Sequence, residues 1–280
     1  MLTRVVFNQK GGVGKSSITV NLAAISAKHG LRTLVIDLDP QANSSQYLLG
    51  DEATYSAEKS ILEPNIENFF DDVLGNNQQK GLIGNALGSI LKAPRNKDLD
   101  SFVHSTPFAK LDVLPASPTL GALEHALESK HKIYKLRDSI QNLVGRYDRI
   151  YIDTPPAFNF FTLSALIAAD KVLIPFDCDV FSKRALQTLI ENVLETQDDH
   201  NDRLEIEGIV VNQFQSQAKL PREVVQQLKD EGLPVLNSML PPSILMKESH
   251  QKNLPLAHLA PEHKLTQAYE TLFGEIEPKR

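Results

Sequence analysis

Cysteine is nearly missing from this 280-residue chain, with Cys178 its only representative. A single thiol closes no internal disulfide, which points to a reducing compartment. Set in "PFDCD" behind an apolar strand, Cys178 is expected to be a small buried side chain, not a reactive nucleophile. Excess positive charge is also lacking: 29 Lys and Arg face 35 Asp and Glu, a formal net charge of −6. That argues against pervasive contact with nucleic acid and leaves room only for a local basic patch. No apolar run approaches the length of a membrane span. The opening residues, MLTRVVFNQKGG, have no charged segment leading into a long apolar one, so no secretory leader is expected and a cytoplasmic location is. What is present, 41% hydrophobic and 23% charged residues, suits a soluble globular chain able to bury a full core without staples.

The apolar pattern alternates between strand and helix. "RVVF" (4–7) reads as a first strand, followed by a glycine loop and then a helix from Lys15 to about His29, with Ile18, Leu22 and Ile25 at helical spacing and Gly30 as its stop. "TLVIDLD" is a nearly continuous apolar run, the mark of a parallel strand covered on both faces. "LDVLPAS", "RIYIDTPP", "KVLIPF" and "IEGIVVNQF" supply further strands. Helical segments are expected over 120–144, 181–197 and 265–273. Residues 51–110 read as an elaboration without a strand pattern of their own, in which "IENFFDDVLG" is helical and "KAPRNKDLDS" an exposed loop. The expectation is one α/β domain over 1–280: a doubly wound, mostly parallel sheet with helices on both faces, of the P-loop NTPase type.

The stretch NQKGGVGKSS (8–17) carries the chemistry. Gly11, Gly12 and Gly14 let backbone N–H groups, that of Val13 included, converge on phosphate oxygens. Lys15 stands where a P-loop lysine meets the β- and γ-phosphates, the Ser16 hydroxyl where one binds Mg²⁺, and Ser17 within reach of the α-phosphate. The helix that follows directs its positive end at the same anion. Gln9 occupies the place of the first glycine in the general pattern G-x-x-x-x-G-K-[ST], and Lys10 is a second lysine ahead of the glycines.

Acids at strand ends complete the set. Asp153 leaves the C-terminal end of "RIYID", in the crevice where nucleotides bind in such sheets, and is the candidate for holding a metal-bound water. Asp37 and Asp39, with one residue between them in "VIDLDPQ", stand at the end of another such strand, where one can face the phosphates while the other supports the loop. Asp39 is the candidate for positioning the attacking water. Ser16, Asp153 and Asp37 make up the expected metal set.

Together these motifs resemble the ParA/MinD superfamily. KGGVGKSS is similar to its deviant Walker A motif, DLDPQAN (37–43) to the ParA switch region and IDTPPA (152–157) to its Walker B motif, with further likeness in LDVLPAS and ADKVLIPFDCD. The resemblance implies an ATPase that uses ATP and Mg²⁺ and dimerises face to face, with Lys10 reaching across to the partner subunit's phosphates. It implies weak basal hydrolysis, stimulated by an adaptor, ParB-like or belonging to a cargo. It also implies ATP-dependent binding to nonspecific DNA, hence association with the nucleoid, and the segregation of plasmid or chromosomal DNA. By position Asn212 resembles the family's adenine-contacting residue, although capping a turn at a strand end is an equal reading. Pro241 matches the start of the segment packed near the base, where Pro242 stands in place of the family's frequent arginine.

Within the superfamily, the MinD branch docks a basic amphipathic tail on membrane. Here Leu265, Ala268, Tyr269 and Leu272 do share a face, but Glu270, Glu275 and Glu277 oppose an anionic surface, so membrane cycling is the least favoured reading. With few residues before the first strand, operator binding through an added helix-turn-helix domain is not expected. Lys219, Arg222, Lys247 and Lys252 are the candidate DNA-backbone contacts. The acidic "ETQDDHND" (195–202) and the wording "FSKRAL" (181–186) keep open an alternative in which the cargo is a protein assembly, such as a chemosensory array or a microcompartment. A nitrogenase-type reductase of the same broad fold would need paired cysteines for its cluster, which one cysteine does not supply.

Overall fold

The computed structural model describes residues 1–50, 62–75, 97–178 and 182–277, with nothing said of the side chains of 182–184. The first half runs β1 (Leu2–Val6), α1 (Lys15–Lys28), β2 (Thr33–Asp37), α2 (Asn43–Leu49), α3 (Ile66–Leu74), a 3₁₀ turn (Leu99–Phe102), β3 (His104–Ser105) and β4 (Leu111–Leu114). A second 3₁₀ turn (Leu120–Leu123) leads to α4 (Glu124–Ser129), α5 (Lys135–Gln141), β5 (Arg149–Asp153), α6 (Phe160–Ala168), β6 (Lys171–Asp177) and α7 (Ser182–Asp199). The chain ends with β7 (Glu205–Asn212), α8 (Lys219–Asp230), α9 (Ile244–Gln251), α10 (Leu256–Leu259) and α11 (Lys264–Ile276).

Among the described residues the strands form one seven-stranded sheet in the order β3-β4-β2-β5-β1-β6-β7. Every pairing is parallel except β3 with β4. The register sets Asp37 beside Asp153 and Val6 beside Asp153, so β1, β2 and β5 deliver their ends to one place. Side-chain alternation sorts the core into two layers. Val5, Ile36 and Ile152 face the cluster built around Phe70, Phe160 and Phe161, while Val6, Val35 and Tyr151 face Ile18, Leu22 and the last helix. Being covered on both faces is what the continuous apolar strands require.

Helix α1 is buried along nearly its whole length, which explains why it shows no polar face. It stops as its sequence suggests: Gly30 takes φ +89° and its N–H donates to the Ala27 carbonyl at 2.9 Å. In the same core layer as α1, Leu265, Tyr269 and Leu272 of α11 are buried, each contributing on the order of 1.5–3 kcal/mol. The apolar face of the C-terminal helix therefore belongs to the core.

Two expectations for the region before β4 need correction. It does contribute a strand, β3, two residues long and held antiparallel at the sheet edge. The end of "KAPRNKDLDS" is not an exposed loop, because Leu99 and Phe102 are buried and Phe102 stacks edge-on to Phe69 at 5.8 Å. Helix α3 forms as expected, with Asn65 accepting from the N–H groups of Glu67 and Asn68 in a capping box. Cys178 sits half-buried against the core, and burial reinforced by the adjacent Asp177 carboxylate pushes its thiol up to about 11, the condition of a packing residue.

Candidate functional site

The loop between β1 and α1 owes its shape to two glycines and one asparagine. Gly12 and Gly14 lie at φ +77° and +95°, where a side chain is strained. A Cβ on Gly14 would also run into Asn212 Nδ2. Asn8 braces the loop's entrance: its Oδ1 accepts from the Lys10 N–H at 2.8 Å and its Nδ2 donates to the Pro175 carbonyl at 2.7 Å. The Lys15 ammonium donates to the Lys10 carbonyl at 3.1 Å and lines a cavity of about 820 Å³ together with Gly11, Ser16, Ser17 and Asp39. Burial lowers the Lys15 pKa, opposed by the carboxylates of Asp153 and Asp39.

Three aspartates gather beneath this cavity. Asp153 is fully buried; Ser44 Oγ donates to its Oδ2 at 2.7 Å, and its Oδ1 has no hydrogen-bond partner. Burial raises its pKa, and the nearby hydroxyls of Ser16 and Ser44 pull in the other direction. A fully buried carboxylate oxygen without a donor is costly, and a hard cation beside Ser16 is the partner its chemistry fits.

Asp37, expected in the metal set, has both carboxylate oxygens engaged by the chain itself. Its Oδ1 accepts from the Asp39 N–H at 3.1 Å, and its Oδ2 accepts from the N–H and hydroxyl of Ser45 at 2.8 and 2.7 Å. Those donors lie in the switch loop and in the first turn of α2, so Asp37 caps that helix in place of the residue before it, Ala42, which has no side-chain acceptor. Burial, then the neighbouring Asp153 charge, raises its pKa well above the usual carboxylate range. Asp39 is the member of the pair that reaches the cavity wall. Its Oδ1 accepts from the Gln41 N–H at 2.9 Å; burial raises its pKa and Lys15 moderates the rise.

A second cavity of about 510 Å³ opens on the other side of Ser17. Asn212, Pro241 and Pro242 line it, as does the exposed Ile244. Asn212 is already engaged: its Nδ2 donates to the Val13 carbonyl at 2.9 Å and its Oδ1 accepts from the Gln213 N–H at 2.9 Å. It thus ties the end of β7 to the phosphate loop and supports the turn at Gln213, whose φ is +53°.

Lys10 does not lie over its own cavity. Its ammonium pairs with both carboxylate oxygens of Asp177, each at 2.9 Å, at the end of β6. The four candidate DNA contacts do not form one set. Lys219 and Arg222 are exposed on α8, where Lys219 pairs with Glu223 at 3.4 Å, and Lys252 caps the C-terminus of α9. Lys247 lines both cavities and stands beside the phosphate loop. The reading of "FSKRAL" falls outside the residues whose side chains are described. His250 escaped the sequence reading altogether. Its Nε2 lies 3.0 Å from Ser17 Oγ, and it too lines both cavities.

Comparison with known proteins agrees with this geometry. The family model described as an AAA domain matches residues 2–206. The chromosome partitioning protein ParA of Myxococcus xanthus is 30% identical over 97% of this chain and 86% of its own length. The chromosome-partitioning ATPase Soj of Treponema pallidum is 30% identical, covering 98% of this chain and 96% of its own. Among solved structures, the cobyrinic acid a,c-diamide synthase of Mycobacterium smegmatis, with an ATP analogue and magnesium bound, superposes with a TM-score of 0.77 at 23% identity, over 98% of this chain and 93% of that one.

Proposed function

This chain belongs to the AAA-domain family of ParA-type partition ATPases, and on that premise we propose that it binds and hydrolyses ATP with Mg²⁺ and uses the resulting dimer to segregate DNA. The observation that carries the reading is the buried Asp153 carboxylate, with one oxygen unpartnered, under Ser16 and Lys15. Ser16 and Asp153 would hold the metal, and Asp37 would not, because both its oxygens are engaged by α2 and the switch loop. Bound there, Mg²⁺ would neutralise phosphate charge and orient the phosphate group.

The chain's own residues supply the rest. The loop N–H groups and Lys15 hold the phosphates in a site where Lys15 loses little solvation on binding, being buried already. Asp39, fixed by the Gln41 N–H, orients a water toward the terminal phosphate without having to act as a strong base. Asn212 acts through the backbone, keeping Val13 and Gly14 in the conformation the anion needs. Lys10 serves the dimer: once released from Asp177 it is the cation that reaches the partner subunit's phosphates. Among the described residues no arginine lines the cavity, which agrees with slow basal hydrolysis awaiting an adaptor.

DNA as matrix and cargo rests on the relatives' names and on the exposed Lys219 and Arg222. Protein cargo is the alternative, favoured by the acidic end of α7. A MinD-like membrane cycle has the least support, because the apolar face of α11 is buried in the core and no helix among the described residues is long and apolar enough to cross a membrane. The test is phosphate release with Mg-ATP, together with sedimentation. Lys15→Ala should lose ATP binding, while Lys10→Ala should keep it and lose the ATP-dependent dimer. A Lys10→Ala protein that dimerises normally with ATP would overturn the role assigned to Lys10.

A further inference from the structure

Helix α9 turns one side toward the phosphate loop, and two cationic or basic side chains three residues apart, Lys247 and His250, sit on that side. Both line the two cavities at the point where they meet, over Gly12, Gly14 and Ser17. One cavity is the phosphate end, with Lys15, Ser16 and Asp39. The other is the more apolar end, with Pro241 and Met246. Whatever spans the two must pass Lys247 and His250.

The His250 ring is held from several directions. Its Nε2 hydrogen-bonds Ser17 Oγ at 3.0 Å. The Tyr47 ring from α2 packs edge-on against it, centroids 4.7 Å apart at 75°. Tyr47 is fixed in turn, its hydroxyl bonded to Ser249 Oγ and accepting from Asn21 Nδ2 at 3.3 Å. Asn21 also donates to the Ser17 carbonyl at 2.8 Å and accepts from the Leu256 N–H at 2.8 Å, joining α1, α2 and α10 around the ring. The ring still keeps a face open to the cleft. A side chain whose own packing fixes its rotamer, with one polar edge directed at a ligand site, is suited to positioning that ligand.

We propose that Lys247 and His250 form a nucleoside-side subsite, engaging the joint between the α-phosphate and the ribose, so that α9 discriminates a nucleotide from bare polyphosphate. The subsite rests on the nucleotide reading of the loop. His250 orients the Ser17 hydroxyl and meets the joint directly, and Lys247 adds a cation at the same place. Tyr47, which packs on His250, belongs to the helix that Asp37 caps.

Titration calorimetry with Mg-ATP and with Mg-tripolyphosphate, which lacks the nucleoside, separates the possibilities. His250→Ala and Lys247→Ala should each weaken ATP binding about tenfold and leave tripolyphosphate within about twofold of wild type. His250→Gln, which keeps a hydrogen-bonding group near the Nε2 position, should recover most of the ATP affinity. The proposal is overturned if ATP affinity is unchanged in both alanine variants. It is equally overturned if ATP and tripolyphosphate weaken together, since that reports a deformed loop, or if His250→Gln is as weak as His250→Ala. Lys15→Ala run alongside distinguishes a deeper failure: if it binds ATP as well as wild type, the nucleotide reading of the loop falls and the subsite with it.

Discussion

The two ends of the sheet bury charge in opposite ways. At the N-terminal ends of the strands, Arg4 is fully buried, yet it donates to Glu207 at 2.8 and 3.0 Å, to Glu277 at 2.9 Å and to the Ile276 carbonyl at 2.7 Å. Arg149 adds further bonds to Glu277, whose pKa these arginines hold down against the opposing effect of burial. At the C-terminal ends, Asp37, Asp39 and Asp153 converge with Lys15 as the neighbouring cation, all three acids have raised pKa values, and one oxygen of Asp153 is unpartnered. One end is neutralised from within and fastens the C-terminal segment to β1. The other is short of positive charge and donors until something binds. Buried charge marks function where its compensation is missing.

Substitutions at the two ends should therefore separate stability from binding. The largest effect is expected for Arg4→Ala, a loss of about 3 kcal/mol in denaturant unfolding, because two carboxylates lose their buried partner, with ATP affinity unchanged. If affinity falls as well, the two ends are not independent. Lys15→Ala should act conversely, weakening ATP binding about a hundredfold, or about 2.7 kcal/mol, with little loss of stability.

Asp153→Asn sharpens the contrast further. Its neutral side chain removes an under-compensated buried charge, so metal-free stability at pH 7 should rise by about 1 kcal/mol. The sign follows from linkage. Burial raises the folded-state pKa of Asp153, in the Asp37–Asp153 pair, to about 6, above the value of about 3.9 for an unfolded aspartate. The folded state therefore holds the proton more tightly, and the stability this gives is complete below pH about 3.9 and lost as pH rises through about 6. Thermal melts in metal-free buffer should show that loss in the wild type and a shallower one in Asp153→Asn. The smallest effect is expected from Asn212→Ala, which removes one hydrogen bond to the Val13 carbonyl and should weaken ATP binding by several-fold, about 1 kcal/mol. Equal weakening of ATP and tripolyphosphate would mark Asn212 as a loop brace, and a loss confined to ATP would mark it as a base contact.

Much of the architecture was legible because it is written in local chemistry. The glycine loop, the helix at Lys15, the parallel strands and the strand-end acids each follow from residue type and spacing. Helix α2 was not, because its cap is a carboxylate from β2 and not a neighbour in sequence. Helices α8 and α9 lie between Asn212 and Leu265, where the apolar pattern singled out no helix; α9 buries only Ser249 outright. The two-residue β3 is too short to carry an alternation and exists through its pairing with β4. In the site, Lys15, Ser16, Asp39 and Asp153 were readable as a set. The bond from Ser45 back to Asp37 was not, and Lys247 and His250 enter the cleft from a helix more than 200 residues away in sequence from the loop they face.

On the function proposed above, Mg-ATP completes a cation site at the unpartnered Asp153 oxygen. The most direct test is the thermal shift of wild type and Asp153→Asn with ATP, measured with and without Mg²⁺. Wild type should gain several degrees that depend on Mg²⁺, and Asp153→Asn should lose most of that Mg²⁺-dependent gain. An equal Mg²⁺-dependent gain in both proteins would contradict the account.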